Sequence, residues 1–189
     1  ARGPRAHAGF VFAIARNLEA IYGIDTALRA LAELPPEQEV RLAIAGSGPE
    51  ESRLRALAAE LGVAERVSFL GRLERREIVA LYHGADAMLN PTTVDNMPNS
   101  LLEAMACGLP VVSTAVGGVP FIVEDGRSAL LVPAGDPSSM AAAMGRLRGD
   151  PGLCQRLRQQ ALADVQAYTW EAVGPQWLAA YEETAGRRS

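Results

Sequence analysis

The chain has 189 residues, 49% of them hydrophobic and 21% charged, the proportions of an ordinary globular domain, which exclude disorder and a disulfide-built mini-fold. Its 18 Lys+Arg against 22 Asp+Glu leave a net charge of −4, which argues against a nucleic-acid footprint. Every one of those cations is arginine.

Residues 1–8 lack both an initiating Met and the apolar core of a signal peptide, and are expected to be a leader or linker within a longer protein. From Gly9 onward short apolar runs alternate with helical patterns. Phe10–Ala15, Val40–Ala45, Val67–Leu70, Ala87–Asn90, Val111–Ser113 and Ala129–Val132 have the length and apolarity of buried parallel strands. Helical spacing lies between them, over Ile24–Leu34, Glu50–Leu61, Arg75–His83 and Asn99–Ala106. This alternation predicts an α/β fold, a Rossmann-like doubly wound parallel sheet of about six strands. After Val132 only helical spacing remains, over Pro137–Leu147, Gly152–Ala167 and Trp170–Ala185, so a helical C-terminal tail is expected. Trp170, Val173, Trp177 and Tyr181 share one face of its last segment, which Gly174-Pro175 is expected to kink or divide.

Cys107 and Cys154 lie far apart with no CxxC or histidine company, so neither a zinc site nor a disulfide is expected, and a reducing cytoplasmic setting is. The most apolar stretch, Leu101–Val112, is interrupted by Glu103 and far shorter than the ~20 residues of a membrane span.

In a doubly wound sheet, ligands sit beyond the C-terminal strand ends. The loop after the second strand, Gly46-Ser47-Gly48-Pro49, is neither a GxGxxG fingerprint nor a P-loop, and reads as a turn that lets backbone approach a neighbour or a ligand. More informative is the segment from Pro91 to Pro110, with a carboxylate in a loop at Asp95 and another at Glu103, one turn into a helix. With Ser100 as N-cap, the first-turn amides form an anion site beside both carboxylates. Phosphate on the amides and sugar hydroxyls on the carboxylates is the chemistry such a pairing serves. Ser100-Leu-Leu-Glu103 also matches a capping box, with Glu103 returning a hydrogen bond to the cap, and Asp95 also fits a turn residue. Spacing leaves these alternatives open.

Asp95–Pro110 resembles the Glu-x7-Glu motif of retaining glycosyltransferases of the group 1 type (family 4), which have the two-domain GT-B fold. Further stretches resemble the family's donor-binding C-terminal domain in the expected order: Ala15–Leu18 with Tyr22–Asp25, Gly46–Pro49, Val67–Gly71, Tyr82 with Ala85-Asp86, Gly117–Pro120, and Asp125-Gly126 leading to Leu131–Pro133. The resemblance implies that Asp95 faces the donor-sugar hydroxyls, Glu103 holds the ribose, Arg16 neutralises the diphosphate, and Gly46 and Gly48 let the chain pass close to the nucleotide, with Ser100 at the helix end. It implies a nucleoside diphosphate sugar as donor substrate, no cofactor and no metal, and residues 9–189 as the donor domain. An N-terminal acceptor domain outside this chain would supply the unknown acceptor and any peripheral contact with the inner membrane face. An epimerase or phosphorylase half of the same fold, and a non-catalytic nucleotide-binding module, are the alternatives.

The chain departs from the family pattern in three places. The first acid is Asp95 rather than Glu, Asn96-Met97-Pro98 replaces the usual Phe-Gly, and Tyr22 stands where the family has a second diphosphate cation, a lysine. Arg72 is either a substitute cation or a solvated arginine among Glu74, Arg75, Arg76 and Glu77. Gly117-Gly118 is expected to form a tight loop, and His83 to sit at a helix C-terminus.

Overall fold

The computed structural model describes residues 9–186; the expected leader, 1–8, lies outside the described residues. Six strands, β1 (Phe10–Ala15), β2 (Val40–Ala45), β3 (Val67–Gly71), β4 (Ala87–Asn90), β5 (Val111–Thr114) and β6 (Leu130–Val132), form one parallel sheet in the order β3-β2-β1-β4-β5-β6. The helices are α1 (Ile24–Glu33), α2 (Glu51–Glu60), α3 (Arg75–Gly84), α4 (Asn99–Ala106), α5 (Val119–Ile122), α6 (Pro137–Gly149), α7 (Pro151–Asp164) and α8 (Trp170–Gly186). Every expected strand and long helix is present within a few residues. The four-residue α5 was not expected, being too short to show a period.

The two-residue pleat divides the core. On β1, Phe12 and Ile14 join a buried cluster with Leu28 and Leu31 of α1, Leu54 of α2 and Met144 of α6. Ala13, between them, joins the opposite cluster with Tyr82 of α3 and Leu101 and Met105 of α4. Helices therefore cover both faces of the sheet.

Local signals set the helix ends. Gly23 adopts φ 58° before α1, and any Cβ there would strike the Pro91 carbonyl oxygen. Arg66 donates to the Leu31 and Leu34 carbonyls at 3.0 and 3.1 Å, closing the end of α1. Asp136 accepts from the Ser139 amide to cap α6 and Asp150 from the Leu153 amide to cap α7.

Gly174-Pro175 does not divide the last segment, which runs as the single helix α8. Proline removes one i→i−4 bond, and the helix continues past that loss. Glycine at 174 leaves room for the Trp170 ring, which a Cβ would approach to 3.1 Å. Trp170, Trp177, Leu178 and Tyr181 remain 72%, 56%, 62% and 65% exposed, so this aromatic face is not packed on the sheet.

Candidate functional site

β1 lies between β2 and β4, so the strand order reverses at β1/β4 and the loops leaving these two strands diverge to opposite sides of the sheet. The cleft beyond them holds about 590 Å³, a volume suited to a small-molecule ligand. Its walls come from Arg16 and Tyr22 after β1, Gly46 and Ser47 after β2, Arg72 and Leu73 after β3, and Ser100 and Glu103 of α4.

Arg16 is held on three sides. Its Nε and Nη2 donate to Asn90 Oδ1 at 3.3 and 3.0 Å, Nη2 also pairs with Asp95 Oδ2, and the guanidinium lies 5.0 Å from the centre of the Tyr22 ring. Tyr22, in the position where the family resemblance expects a lysine, thus supports the arginine from below. Asn90 closes β4, is fully buried, and donates to Ser113 Oγ at 3.0 Å. Sequence reasoning passed over Asn90; the available signal was one amide ending an otherwise apolar strand at the ligand edge of the sheet.

The Asp95 loop is braced from behind. Gly118 donates its amide to the Asp95 carbonyl at 2.9 Å. A Cβ on Gly117 would overlap the Asp95 carbonyl oxygen, and one on Gly118 that of Asn96. The double glycine therefore makes the expected tight loop and, beyond that, seats the acidic loop against β5. Thr93 ties the same loop to the one after β1, its amide and hydroxyl both donating to the Ile21 carbonyl, at 2.8 and 2.9 Å.

The expected N-cap at Ser100 is not formed. Pro98 is the cap residue of α4, Ser100 is the second helical residue, and its hydroxyl is buried with no hydrogen-bond partner among the described residues. The capping box fails with it, because Pro98 has no amide hydrogen for a side chain to accept and Glu103 lies beyond the third helical position. A reciprocal cap bond is found instead on α3, where Glu77 accepts from the Glu74 amide at 2.7 Å. Glu103 stands exposed on the cleft wall, its carboxylate without a hydrogen bond or ion pair among the described residues. Tyr82 donates to the Ser100 carbonyl at 3.3 Å beneath the start of α4; burial first, and the Glu103 charge second, hold its hydroxyl well above the usual tyrosine range.

The two glycines after β2 separate. Gly46, at φ 140°, lines the cleft, and its missing Cβ leaves room for the Arg16 carbonyl oxygen. Gly48 is not part of the lining: it packs on the Leu18 backbone, where a Cβ would overlap the carbonyl oxygen. Both fasten the second loop to the first. Arg72 is exposed and follows Gly71, whose φ is 68°. It lines the cleft on the β3 side without an ion pair among the described residues. His83 falls in the last turn of α3, as expected. No group of three or more metal-ligating side chains forms among the described residues, and no helix there is long and apolar enough to cross a membrane.

The sequence profile of the family described as glycosyl transferases group 1 matches residues 3–164. The chain is 37% identical over 182 residues to a D-inositol 3-phosphate glycosyltransferase of Corynebacterium jeikeium, covering 91% of this chain and 43% of that protein. It is 38% identical over 191 residues to the protein of the same name from Mycobacterium marinum, covering 94% and 40%. The chain thus spans about two fifths of the length of these curated relatives. Among solved structures, sucrose-phosphate synthase from Thermosynechococcus elongatus superposes with a TM-score of 0.86 at 29% identity, covering 95% of this chain and 46% of that one. Anabaena HepE in complex with UDP-glucose superposes with a TM-score of 0.84 at 25% identity, covering 94% and 49%.

Proposed function

The chain belongs to the group 1 glycosyl transferase family, and from that membership and the form of the cleft we propose that it is the C-terminal, donor-binding half of a retaining GT-B glycosyltransferase. The full protein transfers a sugar from a nucleoside diphosphate sugar to an acceptor. The observation that carries this reading is the convergence of Arg16, the first turn of α4 and Glu103 on one cleft at the strand-order reversal.

As the glycosidic bond breaks, charge grows on the departing diphosphate. The Arg16 Nη1 edge and the Asn99 and Ser100 amides at the start of α4 face that charge in a preformed arrangement. Glu103 accepts from the ribose. Asp95 gives Oδ2 to Arg16 and keeps Oδ1 for a hydroxyl of the donor sugar. Arg72 supplies the second guanidinium in place of the lysine that Tyr22 replaces. Gly46 and Gly48 act by closing the backbone around Arg16 and Leu18.

The acceptor and the remaining catalytic groups belong to an N-terminal domain, for which the exposed Trp177, Leu178 and Tyr181 of α8 form a resting surface. Reduced thiols at the half-buried Cys107 and Cys154 suit the reducing cytoplasm.

Calorimetry with UDP, GDP and ADP tests the reading, with UDP first because a structural neighbour was solved with UDP-glucose. Binding of at least one is expected, and Arg16→Ala weakens it by about 1.5–3 kcal/mol, the scale of a charged hydrogen bond. No heat from any of the three at millimolar concentration overturns it.

A further inference from the structure

The geometry points to Asn90 as the positioning residue that sets the Arg16 guanidinium for an incoming diphosphate, an inference that rests on the donor-binding reading. β4 is buried from end to end, and its first three residues, Ala87, Met88 and Leu89, are apolar. A fourth apolar residue would satisfy the sheet equally well, whereas a buried amide needs partners for both ends. Asn90 has them: Oδ1 accepts from Arg16 Nε and Nη2, and Nδ2 donates to Ser113 Oγ on the neighbouring strand. The guanidinium, which can only donate, settles which way round the amide lies. Turned over, Nδ2 would face the guanidinium donor to donor.

The consequence for Arg16 follows from counting its donors. Nε and Nη2 are taken by Asn90 and Asp95, and one face of the guanidinium lies over Tyr22. The Nη1 edge has no partner among the described residues and is held in one orientation, because a planar fork fixed along one side cannot rotate. A neutral amide does this without adding charge; a second carboxylate at this position, added to Asp95, would leave the cluster net negative. The arrangement matters more in this chain because Tyr22 contributes no charge beside Arg16.

Two measurements on the 189-residue chain test the proposal. In calorimetry with UDP and uridine, Asn90→Leu is expected to weaken UDP about tenfold and leave uridine unchanged. Placed on Arg16→Ala, the same substitution is expected to change UDP affinity less than twofold, since it acts through Arg16. Equal losses for UDP and uridine, an unchanged UDP affinity, or a further tenfold loss in the Arg16→Ala background overturns the proposal.

The second measurement uses no ligand. In spectra of 15N-labelled arginine side chains, wild type is expected to show an exchange-protected Nε–H that disappears in Arg16→Ala and loses its protection in Asn90→Leu. Protection retained in Asn90→Leu overturns the proposal. If Asn90→Leu does not fold, Ser113→Ala takes its place: the amide loses the anchor of its Nδ2 end, Nε–H protection should fall, and UDP alone should bind several-fold more weakly. If wild type binds no nucleoside diphosphate, the donor-binding reading falls, and the Nε–H spectra still decide whether Asn90 positions Arg16.

Discussion

Arg16 just after β1 and Asp95 in the loop after β4 stand 79 positions apart in the chain and share an ion pair, with only 12% and 11% of their side chains exposed. The acid assigned to the donor sugar and the base assigned to the diphosphate are therefore one electrostatic unit. Asp95→Asn removes the negative charge while leaving an acceptor for Arg16. UDP should then bind as tightly as to wild type or a few-fold more tightly, because the guanidinium is no longer paired with a carboxylate. UDP-glucose should lose whatever affinity its sugar adds. Calorimetry with both ligands checks this, and a parallel loss for the two would separate Asp95 from the sugar.

Glu103 has no capping bond to lose. Glu103→Gln should leave the thermal midpoint within about 1 °C of wild type, as for a surface substitution away from structural features. Its UDP affinity should fall by roughly 1–2 kcal/mol through the weaker acceptor. Unchanged affinity would return the residue to a solvated helix face.

Gly118→Ala would force a methyl group onto the Asn96 carbonyl oxygen. Urea unfolding should register a loss of about 1–3 kcal/mol, the range of overpacked sites, together with weaker UDP-glucose binding as the Asp95 loop shifts. Gly126→Ala provides the contrast. Its φ is 72° with open space around it, so it should cost about 1–2 kcal/mol from backbone strain alone and leave ligand binding intact.

Asp136 is held below the ordinary aspartate range chiefly by the Ser139 hydroxyl, and then by the Ser139 amide, at the start of α6. A carboxylate lowered in the folded state adds stability above its unfolded value of about 3.9 and loses that contribution as pH falls through the lower folded value. Urea midpoints from pH 7 to pH 3 should therefore fall less steeply in Asp136→Asn than in wild type. Identical slopes would remove Asp136 from the acid response.

Strands and long helices were legible because each depends on neighbours within one element: β1 is apolar along its whole length since both faces are covered, and α1 carries Ile24, Ala27, Leu28 and Leu31 on one face. Of the residues the ordered family motifs singled out, Arg16, Gly46, Ser100 and Glu103 line one cleft. The start of α4 was misplaced because Ser100 fits a local capping pattern, while Pro98 begins the helix and the core draws the Ser100 side chain inward.

From its sequence alone the protein's fold class and its ligand edge follow, because periodicity is a property of short stretches of chain, and the roles open to Arg16, Asp95 and Glu103 are what the family resemblance implies. Tertiary structure alone decided that Asn90 and Tyr22 orient Arg16, that Gly117-Gly118 seats the Asp95 loop, that Gly48 packs on Leu18 outside the cleft lining, and that the aromatic face of α8 stays exposed. Each of these depends on which strand ends lie side by side. In a sheet ordered β3-β2-β1-β4-β5-β6, the first and fourth strands meet although more than seventy residues separate them.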